Sequence, residues 1–490
     1  FLGVGAIDQF SFGEIKTPTQ DKLYTLYQVP SIRQRSYTSG VSYRRSVNNG
    51  YYFVSGSRNV LDNRIQKYDG NEPGNPSKLR YKTDAVEAEN KLRLEVNKYN
   101  NGWTASFGGE LQYDEYDASN NIRRRAAVNN QPEERLLYSS NINFLRYGVF
   151  AQAGKKFYDD RLSVSIGART DMNTFSKNGT NPAEAFSPRL AISYLLSPGW
   201  TINGTIGRYA RLVPYTILGF RDNNNQLVNK TNNYITNTHY VAGLEFMPKA
   251  ATRFTVEGFY KKYSKVPVTI ADGISINNQG ADFNTVGNEA VISNGKGEAY
   301  GLEFFAQQKL TKRFFGFFSY TFFYSRFSNS NGKLLPSSWD NRHLVSLTFG
   351  YKLPKNWELG MKYRYQGGAP FTPFNMELSQ KNFLTQGQGL PDYTRINSQR
   401  LDPFSVSDLR LDKKWNFKRI TLDAFLDVTN WFAAKSVSYS KFSLERNLET
   451  GAFVTTDGQP VRADAGNAIP LIIRDEDPVV LPTIGFIIEF

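Results

Sequence analysis

The chain contains no cysteine. That excludes disulfide bridges, thiolate metal ligands and a thiol nucleophile. Histidine is almost missing, with only His239 and His343. Two imidazoles this far apart in sequence are a poor basis for a metal centre or a general base, and no catalytic constellation accompanies them. Gly-rich pieces such as Gly295–Gly301 lack the strand-to-helix setting of a phosphate loop. Acidic groups such as Asp114-Glu115 and Asp475-Glu476-Asp477 read as solvated loop charge rather than calcium ligands. No apolar run reaches the roughly 18 residues that a membrane-crossing helix needs. The expectation is a chain that is not an enzyme and holds no metal and no cofactor.

What is present is aromatic and basic. Of the 490 residues 14% are aromatic, carried by 29 Tyr and 36 Phe against six Trp. Mean hydropathy is −0.49. A transmembrane barrel gives such a value, because lipid-facing and lumen-facing residues alternate and average out as polar. Net charge is +14 with an isoelectric point near 9.5. The basic residues are scattered, and Arg123-Arg124-Arg125 is the only tight triplet. Without a helix-turn-helix or zinc pattern the charge does not indicate nucleic acid. It suits solvated loops, a polar lumen and contact with anionic lipid.

The final ten residues, Leu481–Phe490, alternate as a strand. Phe486, Ile488 and Phe490 fall on one face, and the chain stops on an aromatic side chain. A membrane barrel can end so, its last strand pairing with its first. The rest of the chain carries the same rhythm. Asn48-Asn49-Gly50 and Asn100-Asn101-Gly102 are hairpin turns between Tyr- and Val-containing runs. Leu162, Val164, Ile166 and Ala168 alternate with Ser163, Ser165, Gly167 and Arg169. Continued to the end, this gives about 17 strands of about ten residues each. They come in pairs joined by short turns, and long polar loops separate the pairs. Asn59–Asn90, Asp114–Asn143 and Trp431–Val480 are among those loops. Aromatics at strand ends (Tyr147, Trp200, Tyr209, Trp357, Tyr365, Trp415) suit interfacial girdles. The fold class is all-β, a transmembrane antiparallel barrel over residues 33–490. Residues 1–32 read as an irregular lead-in or an extracellular loop, with Leu23–Val29 as the one strand-like piece. The direction of the strands requires at least one more before Arg33.

Several segments of the last third occur in a telling order. They are Gly297-Glu-Ala-Tyr-Gly-Leu-Glu-Phe-Phe305, Gln308-Lys-Leu-Thr-Lys-Arg-Phe-Phe-Gly316 and Phe318-Ser-Tyr-Thr321. Pro336-Ser-Ser-Trp-Asp-Asn-Arg-His343, Tyr365-Gln-Gly-Gly-Ala-Pro-Phe-Thr-Pro373 and Asp408-Leu-Arg-Leu-Asp-Lys-Lys-Trp415 follow. Phe425-Leu-Asp-Val-Thr-Asn430 and Leu481-Pro-Thr-Ile-Gly485 close the series. It resembles the C-terminal barrel of TonB-dependent outer-membrane receptors and transporters, of the kind common in Bacteroidetes. The resemblance implies a barrel of about 22 strands around a plug. It implies a bacterial outer-membrane location and energy from a TonB-type partner acting through that plug. It also makes Phe486, Ile488 and Phe490 the barrel-assembly signal. A plug and a TonB box are not seen, so the chain is expected to be part of a longer transporter. No leader-like segment precedes Phe1, which fits a processed chain or a part of a gene product.

The implied cargo is a scarce ligand such as an iron chelate, a cofactor, a peptide or a glycan. A passive, substrate-selective porin is the alternative. Lipid and lipopolysaccharide are expected neighbours, and a surface lipoprotein or other subunit is a further candidate partner. For ligand contact the sequence offers Arg208, Tyr209 and Arg211 at the top of one strand. Arg326, Arg364 and Tyr365 are similarly placed, and Arg221 lies within a long loop. Arg and Tyr there would meet an anionic or hydrogen-bonding ligand.

Overall fold

The computed structural model describes all residues except 14, 125–133, 233, 281–286, 436 and 475–476. Arg125, Asp475 and Glu476, singled out above, lie outside the described residues. The backbone is one antiparallel sheet of 19 strands, of which Leu334–Pro336 is only three residues long. The other eighteen are β1 (Leu2–Phe10), β2 (Ser31–Val47), β3 (Gly50–Tyr68), β4 (Leu79–Asn100), β5 (Trp103–Arg124) and β6 (Glu134–Phe157). They continue with β7 (Leu162–Asn173), β8 (Ser187–Ser197), β9 (Trp200–Leu212), β10 (Tyr234–Lys249), β11 (Thr252–Thr269) and β12 (Val291–Gln308). They end with β13 (Phe314–Ser328), β14 (His343–Leu353), β15 (Trp357–Gln366), β16 (Phe404–Asn416), β17 (Thr421–Thr429) and β18 (Leu481–Glu489). Each pairs with its neighbours in sequence. The short turns all fall at one end, and the long connections all fall at the other.

The strand demanded before Arg33 is β1, which pairs with β2 from Leu2↔Gly40 to Phe10↔Ile32. Residues 1–32 are therefore not an irregular lead-in. Leu23–Val29 is not a strand either, because Gln20–Gln28 is a helix, α1. Thr19 caps it by accepting from the Lys22 amide, and Leu23 with Leu26 and Tyr27 follows helical rather than period-two spacing. β18 pairs with β17 alone and β1 with β2 alone, so among the described residues the sheet does not close on itself. Both faces of β1 are exposed along its length.

Register assigns the two faces. Directly paired residues share a face, and successive residues alternate. One face carries exposed Leu94, Leu111, Val149, Ile166, Ile202, Leu244, Val256 and Leu302. The other carries ion pairs between residues two apart on one strand: Arg93–Glu95 at 2.8 Å, Arg169–Asp171 at 2.6 Å and Arg410–Asp412 at 2.8 Å. The first face is the one a barrel turns to lipid, and the second lines its lumen. Five of the six strand-end aromatics share the apolar face. Tyr209 does not.

The longest strands show a reversal. β4, β5 and β6 run 22, 22 and 24 residues, more than twice what a bilayer needs. Along β5 the outward residues Phe107, Leu111 and Tyr113 give way to Glu115, Asp117 and Ser119. At the same level the inward residues change from Glu110 and Gln112 to buried Tyr116 and Ala118. On β6, Leu145 and Val149 point outward below, Asn141 and Asn143 above, and Ile142 and Phe144 are buried inside. Below this level the sheet is apolar outside and polar inside. Above it the polarity inverts, because water replaces lipid outside and a loop fills the interior. That loop brings Val213, Ile217 and Leu218 against Tyr116, Ile142 and Phe144 as the largest core cluster.

The remaining long loops have structure of their own. Helix Met376–Gln386 packs Phe383 on Phe442 and Leu444 of the Lys441–Leu444/Pro470–Ile473 hairpin, all fully buried. The same assembly grips α1. Gln20 exchanges two hydrogen bonds with the Arg446 backbone, at 2.6 and 3.1 Å, and Lys441 meets Asp21 at 2.7 Å. Loops that adjoin the two unpaired ends of the sheet are thus locked together at the rim.

Candidate functional site

The upper lumen holds a cationic, aromatic surface. Arg189 on β8, Gly207 on β9, His239 on β10 and Lys261 on β11 lie in one row of paired residues. Tyr209, one step higher on β9, folds over the row. Its ring lies 4.5 Å from the His239 ring, and the Arg189 guanidinium stands 4.7 Å from its centroid. Gly207 is what permits this. A Cβ there would come within 3.1 Å of the Tyr209 hydroxyl and 3.3 Å of Arg189 Cγ. Arg211 follows on the same face and is exposed. Arg189 and Tyr209 are also exposed, so the surface faces open lumen. Two permanent guanidiniums, an ammonium and a phenol there can bind an anion through charge-assisted hydrogen bonds.

A neighbouring polar cluster is structural. Asp114 is wholly buried and receives Arg146 at 2.5 Å and Gln112 at 2.5 Å. Arg146 also reaches Glu89 at 3.3 Å, and the Tyr215 hydroxyl donates to Glu89 at 2.8 Å. Burial holds the Tyr215 phenol well above its ordinary range, so it stays a donor. This cluster sits under the loop, its two carboxylates sharing the Arg146 guanidinium and taking further donors from Gln112 and Tyr215.

A second hub is Asp340, in the Trp339-Asp340-Asn341-Arg342-His343 segment. Its buried carboxylate accepts from the Ser325 amide at 2.9 Å, from Arg342 at 2.9 Å and from Arg400 at 2.7 Å. It stitches β13, the approach to β14 and the loop between β15 and β16 together. His343 opens β14, with Nδ1 2.9 Å from the Tyr320 hydroxyl. Among the described residues no group of three or more His, Asp or Glu could hold a metal ion.

The seven residues that the sequence put forward are not gathered in one place. Tyr209 and Arg211 belong to the upper-lumen surface. Arg208, between Gly207 and Tyr209, has the opposite parity and points outward, where it donates to the Phe186 carbonyl at 2.9 Å and the Glu184 carbonyl at 3.4 Å. Arg326 is also outward, paired with Glu298, its guanidinium 5.2 Å from the Tyr324 ring. Arg364 faces the lumen, exposed, 3.7 Å from Asp408, whereas Tyr365 faces out. Arg221 donates to the Asn225 carbonyl at 2.8 Å and lines a separate cavity of about 490 Å³ with Asp62, Arg64, Asp84 and Asp117, where Arg64 pairs with Asp62 at 2.9 Å. Arg189 and Lys261 were not singled out in the sequence, and His239 was considered only for metal or base chemistry. Only register places the three beside Tyr209, and register across four strands is not written in any one of them.

Residues 7–430 match the family described as TonB dependent receptor-like, beta-barrel. The chain belongs to that family. Its barrel is a bacterial outer-membrane protein. No curated protein matches the sequence. Among solved structures it is similar to the ferripyoverdine receptor of the outer membrane of Pseudomonas aeruginosa, at 13% identity and a TM-score of 0.60, covering 94% of this chain and 57% of that one. The ferric citrate transporter FecA is similar at 12% identity and a TM-score of 0.58, covering 96% and 65%. The copper transporter OprC is similar at 13% identity and a TM-score of 0.56, covering 84% and 62%. The chain thus spans less than two thirds of the length of these structures, and at such identities the likeness is one of fold.

Proposed function

We propose that this chain is the barrel of an energised outer-membrane importer whose cargo is an anionic metal chelate. The upper-lumen surface of Arg189, Tyr209, Arg211, His239 and Lys261 carries the reading. A cationic peptide would be repelled there, whereas a carboxylate- or catecholate-rich chelate would find matching charge. Structures of similar fold are named for ferripyoverdine and ferric citrate, which suits such a cargo. Energy would come from a TonB-type protein acting through a plug in the lumen. Phe486 and Ile488 on the outward face of β18, with Phe490 just after it, would serve as the assembly signal. Loss of Phe490 should then lower the yield of folded barrel in the outer membrane without changing synthesis.

The test is binding by the full-length receptor, with ferric citrate as the anionic probe and a neutral oligosaccharide beside it. The expected result is preference for the chelate, and binding about tenfold weaker in the Arg189→Gln/Lys261→Gln variant. Equal binding of the chelate by variant and wild type would overturn the reading.

A further inference from the structure

The outer wall over β9–β13 has two registers of unusual composition. Tyr240, Tyr260, Tyr300 and Tyr324 are paired directly across four strands, with ring centroids 6.2, 6.4 and 5.1 Å apart. One step toward the short turns lie Gly204, Ala242 and Gly258, again paired directly. Small residues below a tyrosine ledge leave an apolar groove of about 750 Å³ on the face turned to lipid. The fold itself does not require the glycines. A Cβ on Gly204 would meet nothing nearer than a backbone oxygen at 4.0 Å, and one on Gly258 would make only ordinary contact with Leu302 at 3.5 Å.

One step above the tyrosines, on the side of the long loops, the same face turns cationic. Arg208, Thr238, Lys262, Glu298 and Arg326 are paired in a row. Arg342 adds a guanidinium 3.8 Å above the Tyr324 ring. The single carboxylate, Glu298, is engaged by the Tyr260 hydroxyl at 3.5 Å. Arg342 is already paired with Asp340 at 2.9 Å, so three cations against one anion border the groove where the outer leaflet's headgroups lie. Arg208 and Arg326 are four strand spacings apart, about 19 Å. One phosphodiester cannot span that width. A headgroup with two separated phosphates above several acyl chains can.

We propose that this groove is a binding site for lipopolysaccharide of the outer leaflet, with an acyl chain under the tyrosine ledge and phosphates on Lys262, Arg326 and their neighbours. Each cation would bond a phosphate oxygen, and the tyrosines would sit at the boundary between chain and headgroup. The site rests on the outer-membrane location alone and is independent of any cargo in the lumen.

Native mass spectrometry of the full-length protein, extracted gently from outer membranes, tests this. The wild type should retain one lipopolysaccharide molecule. Retention should fall about tenfold in Lys262→Gln/Arg326→Gln, and enzymatically dephosphorylated lipopolysaccharide should compete about tenfold less well than the intact lipid. Gly258→Leu fills the groove without touching a charge and should also release the lipid. Lys413→Gln, at the opposite end of the wall, should not. Unchanged retention in the charge variant or the groove variant would overturn the proposal. So would a wild type that carries only phospholipid, or that pairs with a second copy through this face.

Discussion

The wall formed by β2–β6 and the wall formed by β14–β18 meet the outside in opposite ways. The first rises in strands of 17 to 24 residues and continues as sheet far above the bilayer. The second stops after strands of 9 to 13 residues, and its loops fold separately into a helix and a hairpin. Both obey period two within the membrane. They differ in what holds the extracellular part together: buried ion pairs and an inward loop on the tall wall, an aromatic cluster on the low one. Extracellular architecture in this barrel is therefore set by whether a strand's alternation survives the change of solvent.

The largest expected effect is on the tall wall. Asp114→Ala leaves Arg146 half-buried with its strongest partner gone, and should cost about 3–5 kcal/mol. Thermal unfolding in detergent would measure it. On the low wall Phe442→Ala removes a fully buried ring between Phe383 and Phe374. It should cost about 3–5 kcal/mol locally. Hydrogen exchange should then rise in residues 366–404 and 430–481 while β3–β6 stay protected. The polarity inversion makes a paired prediction on one strand and one face. Val149→Arg should cost about 2–4 kcal/mol, because it faces hydrocarbon. Asn141→Arg, eight residues up the same strand, should fall within about 0.5 kcal/mol of wild type. The smallest effect belongs to Arg364→Gln. Its exposed pair with Asp408 at 3.7 Å should contribute no more than about 0.5 kcal/mol.

Within the bilayer the strands were legible because lipid enforces one parity. Residues 162–169 and 481–490 show it on their own. The sequence pattern ends the tall strands early, at Tyr113 on one side and Asn143–Phe144 on the other. Tracking the apolar parity fails there, since the apolar residues cross from the outer face to the inner one while the backbone runs straight on. What read as the loop Asp114–Asn143 is largely sheet for that reason. β1 was hidden because Gly3, Gly5, Asp8 and Gln9 dilute its alternation. The candidate site was half legible. Tyr209 and Arg211 stand out as residues at a strand top, but Arg208 is excluded from the lumen by parity alone. Arg189 and Lys261 come from strands whose pairing is a tertiary fact.

The central claim is the inversion of polarity partway up a continuous strand, and these 490 residues hold no cysteine to compete with a label placed on β6. Single spin labels would be attached along β6 at Ser139, Asn141, Asn143, Leu145, Tyr147 and Val149, each changed to Cys in the full-length protein in lipid bilayers. Labels at 145, 147 and 149 should be relaxed by lipid-soluble oxygen. Those at 139, 141 and 143 should be relaxed by an aqueous nickel chelate. Oxygen-dominated relaxation at 139 and 141 equal to that at 149 would contradict the account.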